Sequence, residues 1–112
     1  MSLPAPAPQR LRGAGRQFVA DFGKALGRPV EFYSVTAAQA ADVLLDAIAG
    51  SDGTRASVTR EIFKTQVSNG ILGSFGFDRK GDTTAGSVTI YRVVDGQPEL
   101  ESLITPPPAL VR

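Results

Sequence analysis

The hydrophobic pattern of this chain changes its period at Asn69-Gly70, and that change constrains the fold more than any other feature. Before this point, apolar residues recur every three to four positions, which is typical of amphipathic helices. After it, side chains alternate along segments such as Val88–Val94, which is typical of strands. The sequence therefore predicts an α+β chain, in which three helices are followed by a small antiparallel strand hairpin.

Single residues at the ends of the first and third predicted helices define where these helices begin or end. The first begins at Gly15 and stops at Gly27, because glycine readily adopts the left-handed conformation that ends a helix. The third is predicted to be capped by Ser57 and to run over residues 58–66, since a serine hydroxyl can accept an otherwise unpaired amide of the first turn.

The second predicted helix is rich in alanine and carries the longest apolar stripe. We expect an extended piece at residues 30–33, then a cap at Ser34 or Thr36, and a helix that runs to about Ala49. The positions expected to be buried are Ala37, Ala41, Leu44 and Ile48. The positions expected to face solvent are Gln39, Asp42 and Asp46. The small alanines predict close packing of this helix against a sheet or another helix.

Turn residues separate the predicted strands. Phe75 and Phe77 are expected to point to one side of a short strand. Asp95-Gly96 is the strongest hairpin signal, because a two-residue turn of type I′ needs positive φ at both positions. The proline run at residues 106–108 lacks the amide donors of a strand and is expected to end the folded part.

The segment FDRKGD, residues 77–82, places two carboxylates around a glycine. The spacing does not match a calcium-binding EF-hand, and Asp78 and Asp82 alone supply too few oxygen ligands. A structural turn is predicted instead. An aspartate can accept nearby backbone amides, and Gly81 tolerates positive φ.

Composition argues against several classes of function. The chain has no histidine and no cysteine, so the commonest general base and the reactive thiol are both missing. The balance of 12 basic and 11 acidic residues argues against a strong nucleic-acid-binding surface. Asp42 and Asp46 lie one helical turn apart and are interpreted as a solvent-facing pair. We therefore predict a non-enzyme with no catalytic residue, no metal site, no cofactor and no nucleic-acid partner.

The chain is expected to divide into three parts. Residues 1–13 are interpreted as a linker or an expression tail, with the proline-rich residues 3–9 extended and unpacked. Residues 14–106 form the folded segment, and residues 107–112 form a tail. The first twelve residues contain no hydrophobic stretch of the kind found in signal peptides.

Three segments in a fixed order resemble a known family. GRQFVADFGKALG, PVEFYSVTAAQAADVLLDAI and GILGSFGFDRKGD are similar to the C-terminal lobe of the type I periplasmic binding proteins. These are the two-lobed "Venus flytrap" receptors of bacterial ABC transporters for branched-chain amino acids. The resemblance covers about residues 13–107. It implies a non-catalytic part of a substrate-binding receptor, periplasmic or extracellular, with a small ligand such as an amino acid and an ABC permease as partners.

The resemblance also implies one ligand contact. In such receptors, an aromatic residue just before the long helix reaches toward the cleft between the lobes, and Tyr33 matches it. Its phenol can stack on a small ligand or form a hydrogen bond with it. A second interpretation is that Tyr33 closes the core at the start of the helix, and Phe32 is the alternative aromatic residue. The chain departs from the family at Ala38, where many members carry a tyrosine.

A function from another class remains open. The chain is also compatible with a stand-alone or fused sensory or protein-interaction module that has no transport role. As an isolated piece it would present half a cleft and an exposed sheet edge, which predicts a homodimer or strand exchange.

Overall fold

The computed structural model describes residues 2–3 and 6–107 of the chain. Within those residues, three α-helices precede two antiparallel hairpins, which confirms the predicted α+β class. The helices are α1 (Gly13–Leu26), α2 (Phe32–Ala49) and α3 (Arg55–Phe63), and a short 3-10 helix covers Pro8–Arg10. The strands are β1 (Ser2–Leu3), β2 (Gln66–Gly70), β3 (Gly73–Gly76), β4 (Val88–Val94) and β5 (Gln97–Ile104). Residues 108–112 of the predicted tail lie outside the described residues.

The strands form two small antiparallel sheets. β2 pairs with β3, and Val67 lies opposite Phe75. β4 pairs with β5, while β1 lies on the other side of β4, so the strand order is β1–β4–β5. The predicted turn between β4 and β5 is confirmed, since φ is 49° at Asp95 and 76° at Gly96. Positive φ at both positions is what a type I′ turn requires.

A small core lies between α1, α2 and the turn that joins β2 to β3. Its buried members and the half-buried side chains packed on them are Leu11, Val30, Val35, Phe18, Val19, Phe22, Ile71 and Leu72. The predicted helix stop is confirmed, because Gly27 has a φ of 68° and closes the last turn of α1. The prediction that residues 3–9 are unpacked is wrong, since Ala7 and Pro8 are both buried. Residues 1, 4 and 5 lie outside the described residues.

The predicted boundaries of the third helix are also wrong at both ends. α3 ends at Phe63, and Gln66 already belongs to β2, a strand that the sequence pattern did not predict. The cap is Thr54, whose hydroxyl accepts the amide N–H of Ser57 at 3.2 Å. Ser57 itself is buried, and its hydroxyl accepts the amide N–H of Asp52 at 3.1 Å. A chain of hydroxyl contacts therefore joins the loop before α3 to the helix.

Removal of the Thr54 cap tests this assignment. Thr54→Ala is expected to lower the free energy of unfolding by about 1 kcal/mol, because the Ser57 amide loses its acceptor. Urea denaturation measures the change. Ser34→Ala is the matched control, since Ser34 was a predicted cap but α2 begins after Glu31 without a side-chain cap. The control is expected to stay within about 0.5 kcal/mol of the parent. Equal losses in the two variants would contradict the assignment.

The buried face of α2 differs from the predicted one. Residues 32–33 are helical rather than extended, and the buried positions recur every four residues. They are Val35, Gln39, Val43 and Ala47. The stripe predicted to be buried is exposed, while Gln39, predicted to face solvent, is only 4% exposed. The reason is that α2 is apolar on most sides, and its packing against α1, α3 and the β2–β3 turn selects a face that periodicity alone does not identify.

Candidate functional site

Tyr33 lies in the first turn of α2, and its side chain is 70% exposed. Its ring meets the half-buried ring of Phe32 edge-on, with centroids 5.0 Å apart and planes at 80°. This exposure argues against the interpretation that Tyr33 closes the core. The aromatic pair presents one accessible phenol at the N-terminal end of the helix, and a ligand contact by Tyr33 stays a prediction.

An apolar cavity of about 410 Å³ lies between α2 and the β2–β3 hairpin. The lining residues contributed by α2 are Thr36, Gln39, Ala40, Val43 and Leu44. The opposite wall includes Phe75 and Phe77, whose rings meet edge-to-face at 5.9 Å, and this contact confirms that they point to one side. The volume falls in the range of small-molecule pockets. Tyr33 is not part of the lining that the described residues form.

Two polar side chains of α2 lie in the wall of this cavity. The Oε1 atom of Gln39 accepts the amide N–H of Leu72 at 3.1 Å and so ties the β2–β3 turn to the helix. The Oγ1 atom of Thr36 is buried and has no hydrogen-bond partner among the described residues. Sequence reasoning missed both residues. The available signal was that Val35 and Val43 each lie four residues from Gln39, which places Gln39 at the centre of an apolar face.

A second cavity of about 550 Å³ lies on the other side of Gln39 and is more polar. The carboxylates in its lining are Asp42, Asp46 and Glu61. One of them is paired, because Lys64 Nζ lies 3.0 Å from Glu61 Oε1. Among the described residues, no cluster of three or more acidic, histidine or cysteine side chains has the arrangement of a metal site.

The turn at residues 77–82 is closed by Asp78. Its Oδ1 atom accepts the amide N–H groups of Lys80 at 2.8 Å and Asp82 at 3.0 Å. The carbonyl of Asp78 accepts the amide of Gly81, which has a φ of 87°. Hydrogen bonds from the backbone of Asp82, and then of Lys80, lower the pKa of the Asp78 carboxyl. The predicted structural turn is confirmed, and its carboxylate is engaged with the backbone.

Comparison with known proteins identifies the fold to which this arrangement belongs. No protein-family model matches the sequence, and no curated protein sequence matches it significantly. Among solved structures, the chain is similar to the leucine-binding protein LivK of Thermotoga maritima, with a TM-score of 0.79 and 27% sequence identity. The match covers 94% of this chain and 30% of that protein. This chain therefore spans less than a third of the length of that protein. None of the helices among the described residues combines the length and the hydropathy of a membrane span.

Proposed function

We propose that this chain serves in a solute-binding receptor. The premise is that it is a segment of the type I periplasmic binding protein fold. In this proposal residues 14–106 form part of the C-terminal lobe and contribute to a cleft that holds a small ligand such as an amino acid. The observation that carries the proposal is the match of 94% of the chain to a leucine-binding protein at 27% identity. An ABC permease as partner and a periplasmic or extracellular location follow from the same premise.

The proposed mechanism is hinge closure. A ligand that contacts both lobes binds the closed state more tightly than the open one, so it shifts the population toward closure. One lobe supplies only part of the contacts, which fits a chain that spans 30% of the matched binding protein. Tyr33 supports the proposal, because an exposed phenol on a helix end offers both a stacking surface and a hydrogen-bonding group.

Substitution of Tyr33 tests the proposed contact. In a graft, the whole chain replaces the matching segment of the Thermotoga maritima leucine-binding protein, and isothermal titration measures leucine affinity. Tyr33→Ala is expected to weaken binding about tenfold, equivalent to about 1.4 kcal/mol. Tyr33→Phe separates the ring from the hydroxyl, because it keeps the stacking surface and removes only the hydrogen bond.

The control for this experiment is Phe63→Ala, which removes another exposed aromatic ring, at the end of α3. This variant is expected to bind leucine as the unmodified graft does. Equal affinity of the Tyr33→Ala graft and the unmodified graft would exclude Tyr33 as a ligand contact. A graft that folds but binds none of the common amino acids would contradict the proposed function itself.

A further inference from the structure

α2 has a second apolar face, which the rest of this chain leaves exposed. Five positions fall within an arc of about 100° around the helix axis, given 3.6 residues per turn. We call them the α2 stripe; they are Ala37, Ala40, Ala41, Leu44 and Ile48. All five are exposed, including 46% of both Leu44 and Ile48. The stripe contains no polar or charged side chain.

The stripe makes α2 unusual for a surface helix. The buried side of α2 is apolar apart from Gln39, and the stripe continues the apolar surface around the helix beyond Ala47. A helix with so wide an apolar surface is normally buried on more than one side. Val35 and Val43 on the first face are buried, whereas Leu44 and Ile48 on the stripe are each 46% exposed. The second face is therefore built for burial that the described residues do not supply.

The stripe also continues into the apolar cavity. Ala40 and Leu44 belong to the stripe and to the cavity lining at once, so the apolar surface runs from α2 across to Phe75 and Phe77. Contiguous apolar surfaces of this kind mark sites of association.

The chemistry of the stripe defines its partner. Three of its five residues are alanine, so the backbone of a partner can approach closely. The absence of charge in the stripe requires an uncharged apolar partner face, because a buried charge without a partner is costly. The matched protein is a source for such a face. The match covers 30% of its length, so the remaining 70% lies outside the match.

We infer that the α2 stripe is a docking surface for an apolar face of the rest of the receptor lobe. The inference rests on the proposed function, because it takes its occupant from the receptor. A second copy of this chain is the competing occupant. Tyr33 lies one turn before Ala37, the first residue of the stripe.

Substitution in the graft and in the isolated chain tests the docking surface. Ile48→Glu places a carboxylate on the stripe, and Val93→Glu is the matched control at an apolar side chain on β4 that is 60% exposed. In the isolated chain, both variants are expected to keep the midpoint of thermal unfolding within about 2 °C. In the graft, Ile48→Glu is expected to lower the midpoint by about 5 °C or more relative to Val93→Glu, because its carboxylate is buried against the partner.

Three outcomes would overturn the inference. The first is an equal effect of the two variants in the graft. The second is a graft that unfolds in two separate transitions, which would mean that no shared interface forms. The third is a dimer of the isolated chain, measured by light scattering, that Ile48→Glu dissociates and Val93→Glu does not, which would assign the stripe to a second copy.

Leucine titration of the same grafts separates this inference from the proposed function. A graft whose stability depends on Ile48 but that binds no amino acid would support the docking surface and contradict the proposed function. A graft that binds leucine and tolerates Ile48→Glu as well as Val93→Glu would support the function and overturn the docking surface alone.

Discussion

We expect Gly15→Ala to lower the free energy of unfolding by about 2 kcal/mol. This is the reverse of the usual effect, because alanine normally stabilises a helix relative to glycine. Gly15 lies in the first turn of α1 and is buried. A Cβ atom there would lie 2.1 Å from the carbonyl oxygen of Ile71 and 3.0 Å from Cβ of Leu11. The oxygen belongs to the backbone of the β2–β3 turn, so α1 and that turn would have to separate. The loss of packing then outweighs the gain in helix propensity.

Gly23→Ala is the matched control on the same helix. Its Cβ would meet Cγ2 of Val30 at 3.5 Å and the carbonyl oxygen of Arg28 at 3.6 Å, which are ordinary van der Waals distances. This variant is expected to gain about 0.5 to 1 kcal/mol, because alanine reduces the entropy of the unfolded chain. Urea denaturation of the two variants should shift the midpoint in opposite directions. A shift of the same sign in both would show that α1 does not approach the β2–β3 turn as closely as described.

The second large effect is expected at Gln39. Gln39→Leu keeps a similar side-chain volume but removes the acceptor of the Leu72 amide, which Gln39 Oε1 binds at 3.1 Å. A partly buried donor left without a partner costs about 1 to 3 kcal/mol, so we expect a loss of about 2 kcal/mol. Faster hydrogen exchange at the Leu72 amide gives a local readout, because the β2–β3 turn is released from α2.

Gln17→Leu serves as the control for this substitution. Gln17 lies on the exposed side of α1, where its Nε2 donates to Asp21 Oδ1 at 2.9 Å. Loss of this surface contact is expected to change the free energy of unfolding by less than about 0.5 kcal/mol. If Gln39→Leu proved as mild as Gln17→Leu and left the exchange of the Leu72 amide unchanged, the link between α2 and the hairpin would be contradicted.

Local features of this fold could be predicted because each depends on a few neighbouring residues. Gly27 ends α1, and Asp95-Gly96 forms the turn that connects β4 to β5. Both sites need positive φ, which few residue types adopt. Asp78 closes its turn by accepting amides two and four residues further along the chain. The caps were less predictable, because several hydroxyl residues compete near the starts of α2 and α3, as Ser34 and Thr54 illustrate.

The sequence by itself determined the class of the fold, the order of helices before hairpins, and the turns. It placed the change from helices to strands at Asn69-Gly70, whereas β2 already begins at Gln66. The tertiary structure decided which side of α2 is buried and that Gln39 holds the β2–β3 turn. It also decided that Gly15 is a site of close approach rather than a flexible helix position. The physical reason is that periodicity reports where apolar groups lie around a helix but not what covers them. On a helix that is apolar on two faces, that choice belongs to the partner surfaces, which come from distant parts of the chain.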